Sequence, residues 1–144
     1  MPDEDRIRKT HQAKTLMAST VVTTTSTGTD AVFMANVHKF AWILDVTAAA
    51  TAAGDTLNVF VQTLIDGSNY VDIVHFTEVL GNGGAKRYIA KTVDGAQAEF
   101  EVATTLAAAA VRSLHGDEYR LRYVVVDAGD DNASFTFSVT AMPM

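Results

Sequence analysis

The chain has 144 residues and contains no cysteine. This absence excludes disulfide bonds, thiolate catalysis and metal sites that use cysteine ligands. It also fits folding in a reducing cytoplasm. The length suits one domain with one core, and an apolar content of 48% is ordinary for a globular protein.

The chain also has few basic residues and no long apolar run. Its net charge is −6, whereas general nucleic-acid binding needs a basic face. The longest apolar-biased run, residues 40–53, is interrupted by Asp45 and two threonines, so it is too short and too polar to span a bilayer. The N-terminus is charged where a signal peptide would be apolar. We therefore expect neither nucleic acid nor a membrane as a partner.

The motifs of common enzymes and metal sites are missing. No GxSxG or HExxH pattern occurs, and residues 81–84 are glycine-rich but lack the ending of a phosphate loop. Glu99 and Glu101 read as solvent-facing side chains of a strand, and His75 as a surface or half-buried strand residue. The four histidines are far apart in sequence: His11, His38, His75 and His115. We predict no catalytic residue, no metal, no cofactor and no enzymatic activity.

Two charged clusters allow more than one interpretation. Asp127, Asp130, Asp131 and Asn132 lie close together and form either a solvated hairpin turn or a cation site. Arg120 and Arg122 lie two residues apart on one strand face. They either pair across strands with acids such as Glu99 or Glu101, or contact another subunit.

What the chain does contain is strand pattern. Residues 57–93 hold three alternating segments separated by turns at residues 66–69 and 81–84. A period of two bounded by turn residues predicts an antiparallel meander. Further strands are expected within residues 16–25, 31–46, 98–102 and 117–126, with a loop at 47–55. Residues 104–115 favour either a short helical turn or an extended loop.

The last strand has the clearest alternation, since Phe135, Phe137 and Val139 are separated by serine and threonine. About eight strands with turns between them predict an all-β protein, an antiparallel sandwich of the jelly-roll type. The predicted core of this single domain, residues 16–144, includes seven side chains. They are Val59, Val61, Leu121, Tyr123, Phe135, Phe137 and Val139.

Residues 1–15 are polar and charged without a usable period, and we predict an extended or mobile N-terminal arm. Residues 1–14 carry a net charge of +1. The rest of the chain therefore carries −7, which gives the total of −6. The arm is either a frayed end or a segment that orders on a neighbouring subunit or shell. The basic residues that we expect to make such contacts are Arg6, Arg8, Lys9 and Lys14 in the arm and Arg120 and Arg122 in the domain.

Three blocks of sequence together carry a family resemblance. They are residues 59–73, 115–123 and 133–139, within a likeness that spans about residues 40–141. In this order they resemble the capsid decoration proteins of tailed bacteriophages, also called head-stabilising or auxiliary capsid proteins. The resemblance implies a jelly-roll-like sandwich without enzymatic activity, made in the host cytoplasm and located on the outer capsid surface of the virion.

The same resemblance implies that the partners are the major capsid protein and two further copies of this chain, as a homotrimer. An alternative is a receptor- or carbohydrate-binding module of a phage tail or fibre. Exposed aromatic side chains on a concave face would favour that alternative. However, Trp42 is the only tryptophan and lies in an alternation typical of a core strand.

Overall fold

A computed structural model describes residues 12–49, 52–129 and 132–144. The described chain is all-β and forms two antiparallel sheets that pack together, which confirms the predicted sandwich. Its ten strands are β1 (Lys14–Val22), β2 (Val32–Phe33), β3 (Lys39–Ala49), β4 (Thr56–Leu64), β5 (Tyr70–His75), β6 (Val79–Leu80), β7 (Lys86–Val93), β8 (Ala110–Val111), β9 (Glu118–Val126) and β10 (Phe135–Pro143).

The first sheet has the order β1-β10-β3-β7 and the second the order β2-β9-β4-β5-β8, with β6 beside β4. The described chain changes sheet at six of its nine connections, and among the long strands only β4 and β5 are joined as a hairpin. Without the two-residue strands β6 and β8, this is the eight-strand jelly roll, a double-sheet arrangement of Greek keys. The described residues form ten strands and not the predicted eight because residues 31–46 form two strands, β2 and β3, because β6 and β8 are additional, and because residues 98–102 form none.

The core lies between the two sheets and follows the alternation of the sequence. Phe40, Trp42, Leu44 and Val46 of β3 are all buried, and on the same inner face of the first sheet the neighbouring strand β10 buries Phe135, Phe137, Val139 and Ala141. Burial of each large side chain stabilises the fold by about 1.5–3 kcal/mol. The predicted core is confirmed except at Tyr123, which is half-buried and packs its ring edge-on against Phe137 at 5.5 Å.

The predicted meander is only partly right. β4 and β5 form its first hairpin, closed by a turn in which Asp66 accepts backbone hydrogen bonds and Gly67 adopts a φ of 88°. The third segment, β7, lies instead in the first sheet beside β3. Alternation specifies that β7 has one buried face, but it does not specify the sheet to which that face belongs.

The strand predicted at residues 98–102 is wrong. Residues 94–117 form a long connection without a helix, and its only strand is the two-residue β8. Phe100 is half-buried between exposed Glu99 and Glu101 because the guanidinium of Arg112 covers its ring at 3.8 Å. This burial does not require a partner strand. The structure thereby favours the extended form for residues 104–115 over a helical turn.

Two boundaries also differ from the sequence prediction. β1 begins at Lys14, which pairs with Ala141, so Lys14 and Thr15 belong to the sandwich and not to the arm. β3 continues to Ala49 into the segment predicted as a loop, because β10 pairs with it as far as Phe135.

Candidate interaction surface

The outer face of the second sheet carries the two predicted contact arginines, Arg120 and Arg122. In β9 the apolar Tyr119 and Leu121 point into the core, which turns both arginines outward. Across the sheet, Arg120 lies opposite Gln62 and Arg122 opposite Phe60 of β4. Strand register therefore brings these side chains next to the polar residues of β4 and β5.

Arg122 forms an ion pair with Asp72 of β5. Its Nη2 lies 3.0 Å from Asp72 Oδ2, and its guanidinium covers the ring of Phe60 at 3.7 Å. The other face of Phe60 stacks on His75 at a centroid distance of 3.9 Å. His75 is buried and bonds to the carbonyl of Leu106 at 2.7 Å, which ties the 94–117 connection to the sheet. The sequence pattern predicted a surface or half-buried strand residue, and His75 is more buried than that.

Arg120 has a different set of partners. Its Nε donates to Gln62 Oε1 at 2.9 Å, and its guanidinium lies 3.9 Å from the ring centre of Tyr70. A Cβ at Gly28 would come within 2.6 Å of Arg120 Nη1, so a larger residue there would have to displace the end of the Arg120 side chain. Burial, helped by the hydrogen bond to Glu118, raises the pKa of the Tyr70 hydroxyl.

The predicted pairing of these arginines with Glu99 or Glu101 is wrong. Both glutamates are exposed in the 94–117 connection, and the partners are Gln62 and Asp72. The reason is topological, since residues 98–102 do not form a strand beside β9. Arg120 and Arg122 are half-buried within this network, so a role as subunit contacts stays a prediction.

Sequence reasoning overlooked Arg112, which is buried on the same outer face. It donates to the carbonyls of Asp72 at 2.8 Å and Thr104 at 3.3 Å. Burial lowers the pKa of its guanidinium. The sequence did offer one sign of this role, an arginine within the alanine-rich stretch 104–115. The long side chain of an arginine can hold a loop against a strand by donating hydrogen bonds to backbone carbonyls of both.

Among the four basic residues predicted to make contacts from the arm, only Lys14 lies within the described residues. It is exposed in β1, at the edge of the first sheet. Arg6, Arg8 and Lys9 lie outside the described residues. Of the predicted contact residues that the structure describes, Lys14 lies at the edge of the first sheet, and Arg120 and Arg122 lie on the outer face of the second sheet.

A chain of hydrogen bonds links the core to the surface beside β7. Trp42 Nε1 donates to Thr92 Oγ1 at 2.9 Å. The same hydroxyl oxygen lies 2.7 Å from His115 Nε2. His115 Nδ1 lies 3.0 Å from Asp94, which also contacts exposed His38. The hydrogen bond from His115, more than that from His38, lowers the pKa of Asp94.

The order Thr92–His115–Asp94 resembles a nucleophile–base–acid triad, but the hydroxyl in the position of the nucleophile is not accessible from solvent. Thr92 is 1% exposed, and its hydroxyl already accepts from Trp42. An attacking oxygen must reach substrate, so this arrangement fits a structural role in which the Thr92 hydroxyl satisfies two buried rings.

The acidic turn is partly described. Asp127 accepts the backbone N–H groups of Gly129 at 2.8 Å and Ala133 at 3.2 Å, as in a hairpin turn. Asp130 and Asp131 lie outside the described residues. Within the described ranges, no group of three or more histidines and acids is placed to hold a metal ion.

Two exposed apolar regions lie at opposite edges of the second sheet. Phe33 in β2 is 65% exposed and lines a groove with Leu64 and Ile65. At the other edge, a cleft opens between β7 and β8, beside Ile89, which is 68% exposed. Exposed apolar side chains that cluster in this way mark interaction surfaces.

No family model matches the chain, and comparison with curated proteins likewise finds no match. No helix in the part of the chain that the structure describes is long and apolar enough to cross a membrane. The fold defines a class, the double-sheet jelly-roll sandwich, and the function must be argued from surfaces because fold alone does not specify it.

Proposed function

We propose that this protein is a structural protein of a tailed bacteriophage, which binds the outside of the assembled capsid as a homotrimer and stabilises it. The observation that carries the proposal is the resemblance of residues 59–73, 115–123 and 133–139 to capsid decoration proteins. These blocks contribute the strands β4, β5, β9 and β10, which build the centre of the sandwich. Jelly rolls of this kind recur in viral capsid domains.

The surface gives the proposal further support. Phe33 and Ile89 expose large apolar side chains at two sheet edges, where a second polypeptide can cover them. The arginines of the outer face are held by neighbouring side chains and are not grouped as a nucleic-acid footprint. Both features suit a protein that binds other proteins.

The mechanism of stabilisation would be linkage. A protein that binds only the assembled shell raises the stability of that shell in proportion to RT ln(1 + [L]/Kd). Three copies in one trimer would bind a symmetric lattice with avidity, because each further contact becomes intramolecular.

The test uses assembled capsids of the phage that encodes this chain, stripped of the protein. We expect purified protein to co-sediment with these capsids, to saturate, and to raise their thermal disruption temperature. Unassembled major capsid protein is the control and should not retain it. A protein that fails to bind capsids at micromolar concentration, or that stays monomeric both free and on the capsid, would contradict the proposal.

A second candidate function is a carbohydrate- or receptor-binding module of a phage tail, which one pocket favours. This pocket of about 260 Å³ is lined by polar side chains, among them Gln62, Asp72 and Arg122, and by Tyr70. However, Arg120 already covers one face of the Tyr70 ring, and Trp42 is buried and offers no face for stacking. A glycan array tests this function, and saturable glycan binding that is lost in Asp72→Asn would favour it over capsid binding.

A further inference from the structure

The first of two complementary surfaces is the Phe33 patch, which consists of Phe33, Leu64, Ile65, Asp117 and Glu118. Phe33 lies opposite Glu118 in the pairing of β2 with β9, and the backbone N–H of Met34 donates to the backbone carbonyl of Asp117. An exposed aromatic ring is thus held on a paired strand beside two carboxylates. Rigid aromatic side chains of this kind supply much of the binding energy at protein interfaces.

The second surface is the β7–β8 cleft, which opens between the edge strands of the two sheets. It has a volume of about 250 Å³ and is lined by Phe76, Tyr88, Ala90, Val111 and neighbouring residues, including exposed Ile89 and Lys91. Because β7 ends the first sheet and β8 ends the second, one side of each strand has no partner strand in the described residues.

The two surfaces match in size and polarity. A cavity of about 150 Å³ lined by aliphatic and aromatic side chains is enough to hold a benzene ring. The β7–β8 cleft is larger than this, so it has room for the ring of a phenylalanine. Burying exposed Phe33 and Ile89 together would remove apolar surface from water on both sides.

The two surfaces also match in charge. Asp117 and Glu118 flank Phe33, whereas Lys86, Arg87 and Lys91 lie along β7. Arg87 is paired with Asp45, but Lys86 and Lys91 form no ion pair with any described residue. An acidic patch that meets a basic one steers the encounter and selects the register of docking.

We propose that the Phe33 patch of one copy docks into the β7–β8 cleft of a second copy. Because the two surfaces differ and lie at opposite edges of the second sheet, each copy can hold one neighbour at each edge in a head-to-tail contact. The inference deepens the self-association named in the proposed function. The docking contact is measured on the free protein. The experiments can therefore show capsid binding without this contact, or this contact without capsid binding.

Cysteine cross-linking tests the contact directly, because the natural chain has no cysteine. Ile65→Cys, which places a thiol in the Phe33 patch and leaves Phe33 itself intact, carries an affinity tag, is mixed with untagged Ile89→Cys and is oxidised. A disulfide needs Cα atoms about 4.4–6.8 Å apart, so only a true contact gives the mixed dimer in high yield. Val21→Cys, at an equally exposed position of β1, is the matched control. Mixed dimers that form no faster with Ile89→Cys than with Val21→Cys would overturn the proposal.

Charge reversal tests the register in a second way, by sedimentation equilibrium without capsids. We expect Lys91→Glu and Asp117→Lys each to weaken self-association about threefold to tenfold, and the double variant to regain most of it. Phe33→Ala should weaken it more than tenfold. Glu101→Lys, an exposed charge reversal elsewhere, should have no effect.

The same measurements also define the results that would contradict the proposed contact. A wild-type chain that stays monomeric to millimolar concentration would overturn the proposal, whatever the capsid assay shows. Losses that simply add in the double variant would exclude contact between Lys91 and Asp117. Unchanged circular dichroism of every variant shows that a loss arises from the interface and not from unfolding.

Discussion

Arg122 and Asp72 form an ion pair across an intervening strand. Arg122 belongs to β9 and Asp72 to β5, and β4 lies between them in the sheet. The pair spans β4 by passing over Phe60, whose ring the guanidinium covers at 3.7 Å. The Asp72 side chain is 9% exposed, and it also accepts from Gln62, so three strands share one buried carboxylate.

This arrangement predicts that loss of Arg122 is costly. We expect Arg122→Ala to lower the free energy of unfolding by about 1–3 kcal/mol, because the buried Asp72 carboxylate loses its ion-pair partner. Urea denaturation measures the change. Arg87→Ala removes an exposed pair with Asp45 and is the matched control, with an expected loss of about 1 kcal/mol or less. Equal losses in the two variants would contradict the buried network.

A second prediction concerns the Thr92 hydroxyl. Thr92→Val keeps the shape of the side chain but leaves Trp42 Nε1 and His115 Nε2 without their partner. We expect a loss of about 1–3 kcal/mol in the free energy of unfolding, as for buried polar groups left unpaired. Thr92→Ser, which retains the hydroxyl, should lose less. Trp42 is the only tryptophan and is buried, so its fluorescence reports the transition.

A third prediction concerns acid stability through Asp94. The hydrogen bond from His115 holds the pKa of this carboxyl below its ordinary value of 3.8. A depressed folded-state pKa contributes stability that is present above the ordinary value and is lost as pH falls through the folded value. We therefore expect Asp94→Asn to have a shallower loss of Tm between neutral pH and pH 3 than the wild type. Melting curves over this range, compared at each pH, provide the measurement.

The control for Asp94 is Asp66, whose pKa is also lowered, chiefly by the side chain of Asn69. Asp66 lies in the exposed turn between β4 and β5, and its carboxylate bonds to Ser68 and Asn69 within that turn. Asp66→Asn should leave the contribution of Asp94 in place. Identical acid profiles for Asp94→Asn and the wild type would show that the contact with His115 does not couple to folding.

A fourth prediction concerns the predicted arm. Deletion of residues 1–11 removes Arg6, Arg8 and Lys9 but leaves Lys14 and β1 intact. We expect unchanged Tm and weaker retention on capsids, with the difference largest at low salt. Full-length protein with glutamine at positions 6, 8 and 9 separates the effect of charge from that of length. Equal retention of all three proteins over a salt series would show that the arm makes no contact.

Sequence alone was enough to predict the fold class and most of the core. The alternation in β3, β9 and β10 specifies which side chains face inward, because a strand turns successive residues to opposite sides. Turn residues such as Asp66 and Gly67 marked where strands end. These signals are local, so they can be recognised in the sequence without knowing which strands are neighbours.

The tertiary structure decided which strands are neighbours and which polar groups meet. Period-two alternation is the same whichever sheet a strand joins, and so it could not assign β7 to the first sheet. The partners of Arg120 and Arg122 follow from the register of β9 against β4 and from the path of residues 94–117. The linkage of Trp42 to Thr92, His115 and Asp94 likewise joins residues up to 73 positions apart (115 − 42), whose contact arises only when the sandwich closes.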